Sequence, residues 1–319
     1  MSAVLLVVGT VCMVQAQTRD LHSDLADLSI RCTSKHYALA GTVPAARLAD
    51  FAAALEFIHA EYAVAYGELL SQKANENSEP SGESRMPAPG AQSGDGDTGG
   101  RSRLEASGRF RVIIVDKEEG YREFIRTYFG QGATPTRGLF DPKEQLVIIG
   151  DYGDPSETYG ALFHEAFHQF LDRHIPFAPM WVNEGLATYY ETARLTGARL
   201  VFDRPNDVFL QTIKHAAEAK RLIPLAELLV AERNSFQDHS VIEGHRMRIP
   251  RSAMHYAQSY TLCAFMLSDG EGKVLLRPYM KALAGARSAA DAQRITRETF
   301  PPATLDALTT RWLQFVNKQ

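Results

Sequence analysis

Long basic runs are missing from this sequence. Its formal net charge is only −4, and with Lys and Arg scattered, nucleic acid is not an expected partner and neither is an anionic membrane surface. The most basic stretch, His245 to Arg251, reads as a solvated loop before a helix. Long apolar runs are missing too. No segment approaches the ~20 residues that a membrane-spanning helix requires, so no stable membrane insertion is expected. Cysteine is scarce, with three in 319 residues, and none lies near the histidine pair discussed below. Whether Cys32 and Cys263 pair stays open, because Cys263 falls in the apolar stretch Tyr260 to Leu267, where a buried small side chain is the simpler reading. No internal repeat occurs.

The N-terminus is the one markedly apolar end. Ala3 to Val14 is almost wholly hydrophobic, and Val14-Gln15-Ala16 offers small residues at −3 and −1 of a cleavage point, so residues 1–16 read as a signal peptide cut after Ala16. A secreted or periplasmic chain is therefore expected, with Cys12 lost on export. The apolar run has no Lys or Arg before it, a departure from the usual signal pattern.

The rest of the chain, residues 17–319, reads as one domain of α+β class. A short strand at His36 to Ala40 precedes a helix over 44–70, where Leu48, Phe51, Leu55, Ile58 and Tyr62 recur at three- and four-residue steps. From Ser71 to Arg103 the composition turns to Asn, Ser, Gly, Pro and Asp, which marks a disordered insertion. Phe110 to Val115 predicts a buried strand, Lys117 to Phe129 a helix, and 138–149 a hairpin turning at Asp141-Pro142-Lys143-Glu144. Beyond residue 155 the pattern is mainly helical. A small mixed sheet packed on helices, with a helical C-terminal part, is the layout this order implies.

The chemistry lies in His164-Glu165-Ala166-Phe167-His168. Asp154-Pro155-Ser156-Glu157 starts a helix for definite reasons, an N-cap followed by proline at the first helical position, and Pro176 and Pro179 forbid its continuation past about His174. On that helix His164 and His168 stack on one face and could grip one metal ion. Its broad apolar surface makes it a core helix, and imidazoles inside it require partners. Without cysteine nearby the pattern fits a catalytic zinc, which takes three protein ligands and leaves a position for water. A second helix, Trp181 to Glu191, follows the two prolines with a carboxylate, Glu184, near its start. His174 lies off the ligand face and reads as a helix C-terminal cation. Trp181 and Tyr189 read as core. His36, His59, His215, His239 and His255 have no comparable spacing.

HEAFH followed by WVNEGLATYYE resembles the gluzincin metallopeptidases, whose second glutamate supplies the third zinc ligand. The phrases Leu222 to Leu229 and Tyr256-Ala257-Gln258-Ser259-Tyr260 resemble those of bacterial peptidase MA-like families. The resemblance, over about residues 105–285, implies a thermolysin/gluzincin-like catalytic domain. It implies one Zn²⁺ per chain on His164, His168 and Glu184, and Glu165 as the base that takes a proton from the attacking water. An oxyanion donor from a later helix is also implied. Tyr256 is the first choice on the Ser252 to Leu267 segment, with Tyr260 one turn on in reserve. The strand at Gln145 to Ile149 is, by the same resemblance, the expected edge for an extended peptide. Two departures stand out. The Gly-x-Met-Glu-Asn element that holds a free amino terminus is absent, so exopeptidase action is not implied. The Asp that some relatives place four residues after the third ligand is Thr188 here, which leaves the residue orienting a zinc histidine unassigned. The expected function is thus an exported zinc peptidase acting on a peptide or protein. The alternatives are an inactive peptidase-fold binding or envelope scaffold protein, and a zinc hydrolase of cell-wall peptides. Oligomeric state and cleavage preference are not legible.

Overall fold

The computed structural model describes residues 30–76, 108–130, 136–197, 199–244, 247–268 and 270–319. The expected signal peptide, and the expected insertion from residue 77 on, lie outside them. Among the described residues no helix is long and apolar enough to cross a membrane.

The architecture is α+β. Strands β1 (Ile30–Thr33) and β2 (Tyr37–Gly41) form an antiparallel pair, and helix α1 (Ala45–Glu76) crosses from β2 to β3 (Phe110–Asp116). Helix α1 runs six residues into the stretch expected to open the insertion, because Ser71-Gln72-Lys73-Ala74-Asn75-Glu76 keeps good helix formers. Helix α2 (Glu118–Phe129) then leads to β4 (Gly138–Asp141) and β5 (Leu146–Asp151), which form an antiparallel hairpin. The five strands lie in the order β1-β2-β3-β5-β4, with β2, β3 and β5 parallel. Parallel strands are covered on both faces and read as continuous apolar runs. That is seen here: Val112, Ile114, Val147 and Ile149 join the main core, while Ile113, Val115, Leu146 and Ile148 pack with Tyr121 and Ile125 of α2 on the other face.

One sequence expectation is overturned by this order. The segment 145–149 lies inside the sheet between β3 and β4, so the free edge beside the helices belongs to β4. A two-residue-period pattern identifies a hairpin but not which of its strands a parallel partner will take.

Helix α3 (Pro155–His174) begins where expected, with Asp154 accepting hydrogen bonds from the amides of Ser156 and Glu157. After the proline turn α4 (Met180–Glu191) packs back along it. A small hairpin follows, β6 (Arg194–Thr196) and β7 (Arg199–Val201), then α5 (Asp207–Glu218) and two single-turn helices, α6 (Leu225–Leu228) and α7 (Arg233–Phe236). Strands β8 (Val241–Gly244) and β9 (Met247–Pro250) pair as a hairpin where a plain loop was expected; Ile242 opposite Ile249 gives it an apolar cross-strand pair. Helices α8 (Arg251–Ser268), α9 (Gly270–Ala284), α10 (Ala289–Thr299) and α11 (Pro302–Lys318) complete the chain. Helix α8 lies directly against α4. Gly185 makes that approach possible, since a Cβ there would sit 2.5 Å from the Ser259 carbonyl oxygen and 2.7 Å from Cys263 Sγ. Trp181 is fully buried and stacks on Tyr279, as a core residue should, whereas Tyr189 is only partly buried and stacks on Phe202. Cys32 and Cys263 are both free thiols.

Candidate metal centre

Three ligand atoms converge where α3 and α4 face each other. Glu184 Oε2 stands 3.8 Å from Nε2 of His164 and 3.8 Å from Nε2 of His168. One donor atom from each of the three residues lies within 4.8 Å of the others, so the group could hold a metal ion. The helical repeat explains the convergence: residues four apart on α3 share a face, and Glu184 is carried in by the first turns of the antiparallel helix.

The far nitrogens of both imidazoles are already used. His164 Nδ1 is 3.1 Å from Glu191 Oε2, and His168 Nδ1 is 2.6 Å from Asn183 Oδ1. Carboxylate and amide oxygens only accept, so both Nδ1 atoms donate, and Nε2 is the ring nitrogen that each histidine turns toward Glu184. With the proton held on Nδ1, Nε2 is the atom free to bind a metal once its own proton is displaced, and a donor set of two imidazoles and a carboxylate fits a divalent ion.

With Thr188 in place of Asp, the sequence names no partner for a zinc histidine. The structure supplies Glu191, two helical turns beyond Glu184 on the same face. The i, i+7 spacing was the available signal; a longer side chain one turn farther on makes the reach. Asn183 carried a signal too, since it immediately precedes Glu184. Truncating Glu191 to Ala is expected to weaken metal binding by roughly 10- to 100-fold, the usual scale for losing a partner that orients a ligating histidine. Competition with a chelating dye measures it, and an unchanged affinity would mean that the contact orients nothing.

Electrostatics separate the two histidines. Burial disfavours the charged form of His164, but the hydrogen bond and charge of Glu191 outweigh it and its pKa rises to about 9. His168 is pushed down to about 4 by burial and by the neighbouring His164. Burial also raises Glu184 and Glu165 above the usual carboxylate range.

Glu165 lies against β4, the edge strand of the sheet among the described residues, and the Phe140 amide there favours its charged form. Gly138 permits that proximity, as a Cβ there would meet Glu165 Cγ at 2.7 Å. Tyr256 of α8 lies close enough to Glu184 for its hydroxyl to favour the charged carboxylate. Burial, then the Glu184 charge, hold that hydroxyl well above its ordinary pKa, so it stays protonated. Its ring is fixed by Phe236 of α7, edge-on at 5.4 Å. Tyr260, the reserve choice, is turned elsewhere: its oxygen accepts from the Asn206 amide at 2.8 Å. Arg233, one turn before Phe236, acts electrostatically on Glu184, His168 and Tyr256. No sequence signal pointed to it. His174 packs on Phe170 in the last turn of α3, six positions past His168 and outside the ligand group.

Compared with models of known protein families and with characterised proteins, the chain matches none. Any functional reading therefore stands on the residues and their geometry.

Proposed function

We propose that the chain is an exported, zinc-dependent hydrolase that cleaves peptide bonds, with a gluzincin-like catalytic domain. The observation that carries this reading is the pairing of the ligand group His164, His168 and Glu184 with a second carboxylate, Glu165, which lies against Gly138 of the edge strand β4 and feels the charge of both histidines. A structural metal site has no use for an adjacent non-ligating carboxylate; a hydrolytic one does.

When bound there, a zinc ion supplies Lewis acidity, which polarises a carbonyl and lowers the pKa of a water. The protein's own groups do the rest. Glu165, made more basic than an ordinary carboxylate by burial, takes the proton from the attacking water and returns it to the leaving amine. Tyr256 donates its hydroxyl to the oxyanion that develops on the attacked carbonyl. An extended peptide adds to the edge of β4, whose outward backbone groups have no strand partner among the described residues, and is thereby drawn across Glu165.

Digestion of an unbiased peptide library tests the reading. Zinc-loaded protein should release cleavage products, a chelator should stop it, and restored zinc should restart it. Complete absence of products from a fully zinc-loaded, folded sample would remove the peptidase assignment. Tyr256→Phe refines it: turnover should drop by roughly 100-fold, the scale of losing one oxyanion donor, while zinc content and melting temperature stay near wild type. Full activity in that variant would take Tyr256 out of the mechanism.

A further inference from the structure

The two helix faces that carry the metal centre continue past it. Gly160 lies one turn before His164 on α3, and Thr188 and Glu191 lie one and two turns after Glu184 on α4, so the same two helix faces extend toward the start of α3. There they open into a cleft of about 240 Å³, floored by Gly160, walled by Glu157, Thr188 and Glu191, and bordered at its mouth by Arg137 and Arg204. This is room for a side chain rather than for a folded element.

The charges in the cleft are unequally engaged. Glu191 is held by His164 at 3.1 Å, and Arg194, also at the cleft, is forked onto Asp203 at 2.6 and 2.8 Å. Arg137 pairs with Glu157 at 2.9 Å, but both side chains are about half exposed, and such surface pairs yield readily to a competing partner. Arg204 is exposed, and the neighbouring carboxylate on which its charge acts, Asp203, is already held by Arg194. The available charge at the mouth is therefore positive. Position matters as much: Arg137 immediately precedes β4, so a peptide laid along that edge passes the cleft within a few residues of Glu165.

We infer that this cleft is a specificity subsite for a carboxylate of the substrate, either an Asp or Glu side chain or the peptide's own C-terminus, received by Arg204 and Arg137. The inference rests on the peptidase reading and names its substrate class, acidic peptides. Guanidinium forks suit carboxylates because two parallel N–H donors meet two oxygens.

Binding to the full chain carrying Glu165→Gln, loaded with zinc, gives a readout independent of turnover. The probes are acetylated, amidated alanine hexapeptides in which one Glu, Gln or Lys is moved along the sequence, together with the Gln set bearing a free C-terminal carboxylate. Calorimetry should find a position where Glu, or the free carboxylate, binds about tenfold more tightly than the neutral peptide, the scale of one charge-assisted pair. Which of the two wins identifies the source of the carboxylate. Adding Arg204→Glu should abolish the preference and favour Lys instead, and Arg137→Ala should reduce it. Failure of a carboxylate to win at any position, a preference for Lys in the unaltered cleft, or a preference that survives both arginine changes would overturn the subsite. Hydrolysis of these peptides by wild type without carboxylate preference would sink the subsite and spare the peptidase reading. Carboxylate preference without hydrolysis would do the reverse.

Discussion

Glu165→Gln is expected to keep its zinc and lose between about a hundred- and ten-thousandfold in peptide hydrolysis, the range over which a positioned general base contributes. The substitution changes almost nothing but proton affinity. The amide has the shape of the carboxylate and still fits against Gly138, so the fold around it is preserved. It cannot take a proton from water. Single-turnover hydrolysis on zinc-matched samples reads the effect, and equal rates in wild type and variant would show that Glu165 has no part in the chemistry.

The second large effect falls on the metal. Glu184→Ala removes one of three donors and leaves two imidazoles with nothing between them, so zinc at a concentration that saturates wild type should no longer bind. Stability reports this without any assay of turnover. A ligand that binds only the folded state stabilises it by RT ln(1 + [L]/Kd), about 4 kcal/mol at a thousandfold excess over Kd. For a domain this large, each kcal/mol moves the melting temperature by roughly 2–4 °C. Zinc should therefore raise the melting temperature of wild type by about ten degrees and leave that of Glu184→Ala unmoved. An equal rise in both would place the bound zinc somewhere other than this group.

How far the sequence reached differs by element. Helix α3 was legible to its first and last residue because Asp154, Pro155 and Pro176 are local signals that tertiary contacts seldom override. The grouping of His164, His168 and Glu184 was legible because helical spacing fixes two donors and a short proline turn constrains the third. The edge of the sheet was not. Strand order is settled by which strands find parallel partners through distant crossovers, and nothing within 138–149 encodes that β3 pairs with β5 and leaves β4 outside. The β8–β9 hairpin was missed because the basic cluster from His245 to Arg251 overlies its second strand, and two strands of four residues are too short for their alternation to stand out. Arg204 and Arg233 reach their places by loop paths that carry no periodicity at all. Glu191 shares a face with Glu184 at a seven-residue spacing, one turn beyond the four-residue position where Thr188 stands.

The most direct test of the central claim is the zinc-to-protein ratio of folded chain after equilibration with zinc and removal of the excess, measured by elemental analysis on wild type and on His168→Ala. The account predicts one zinc per chain in wild type and close to none in the variant. A wild-type chain that retains no zinc, or a variant that retains one per chain, would contradict it.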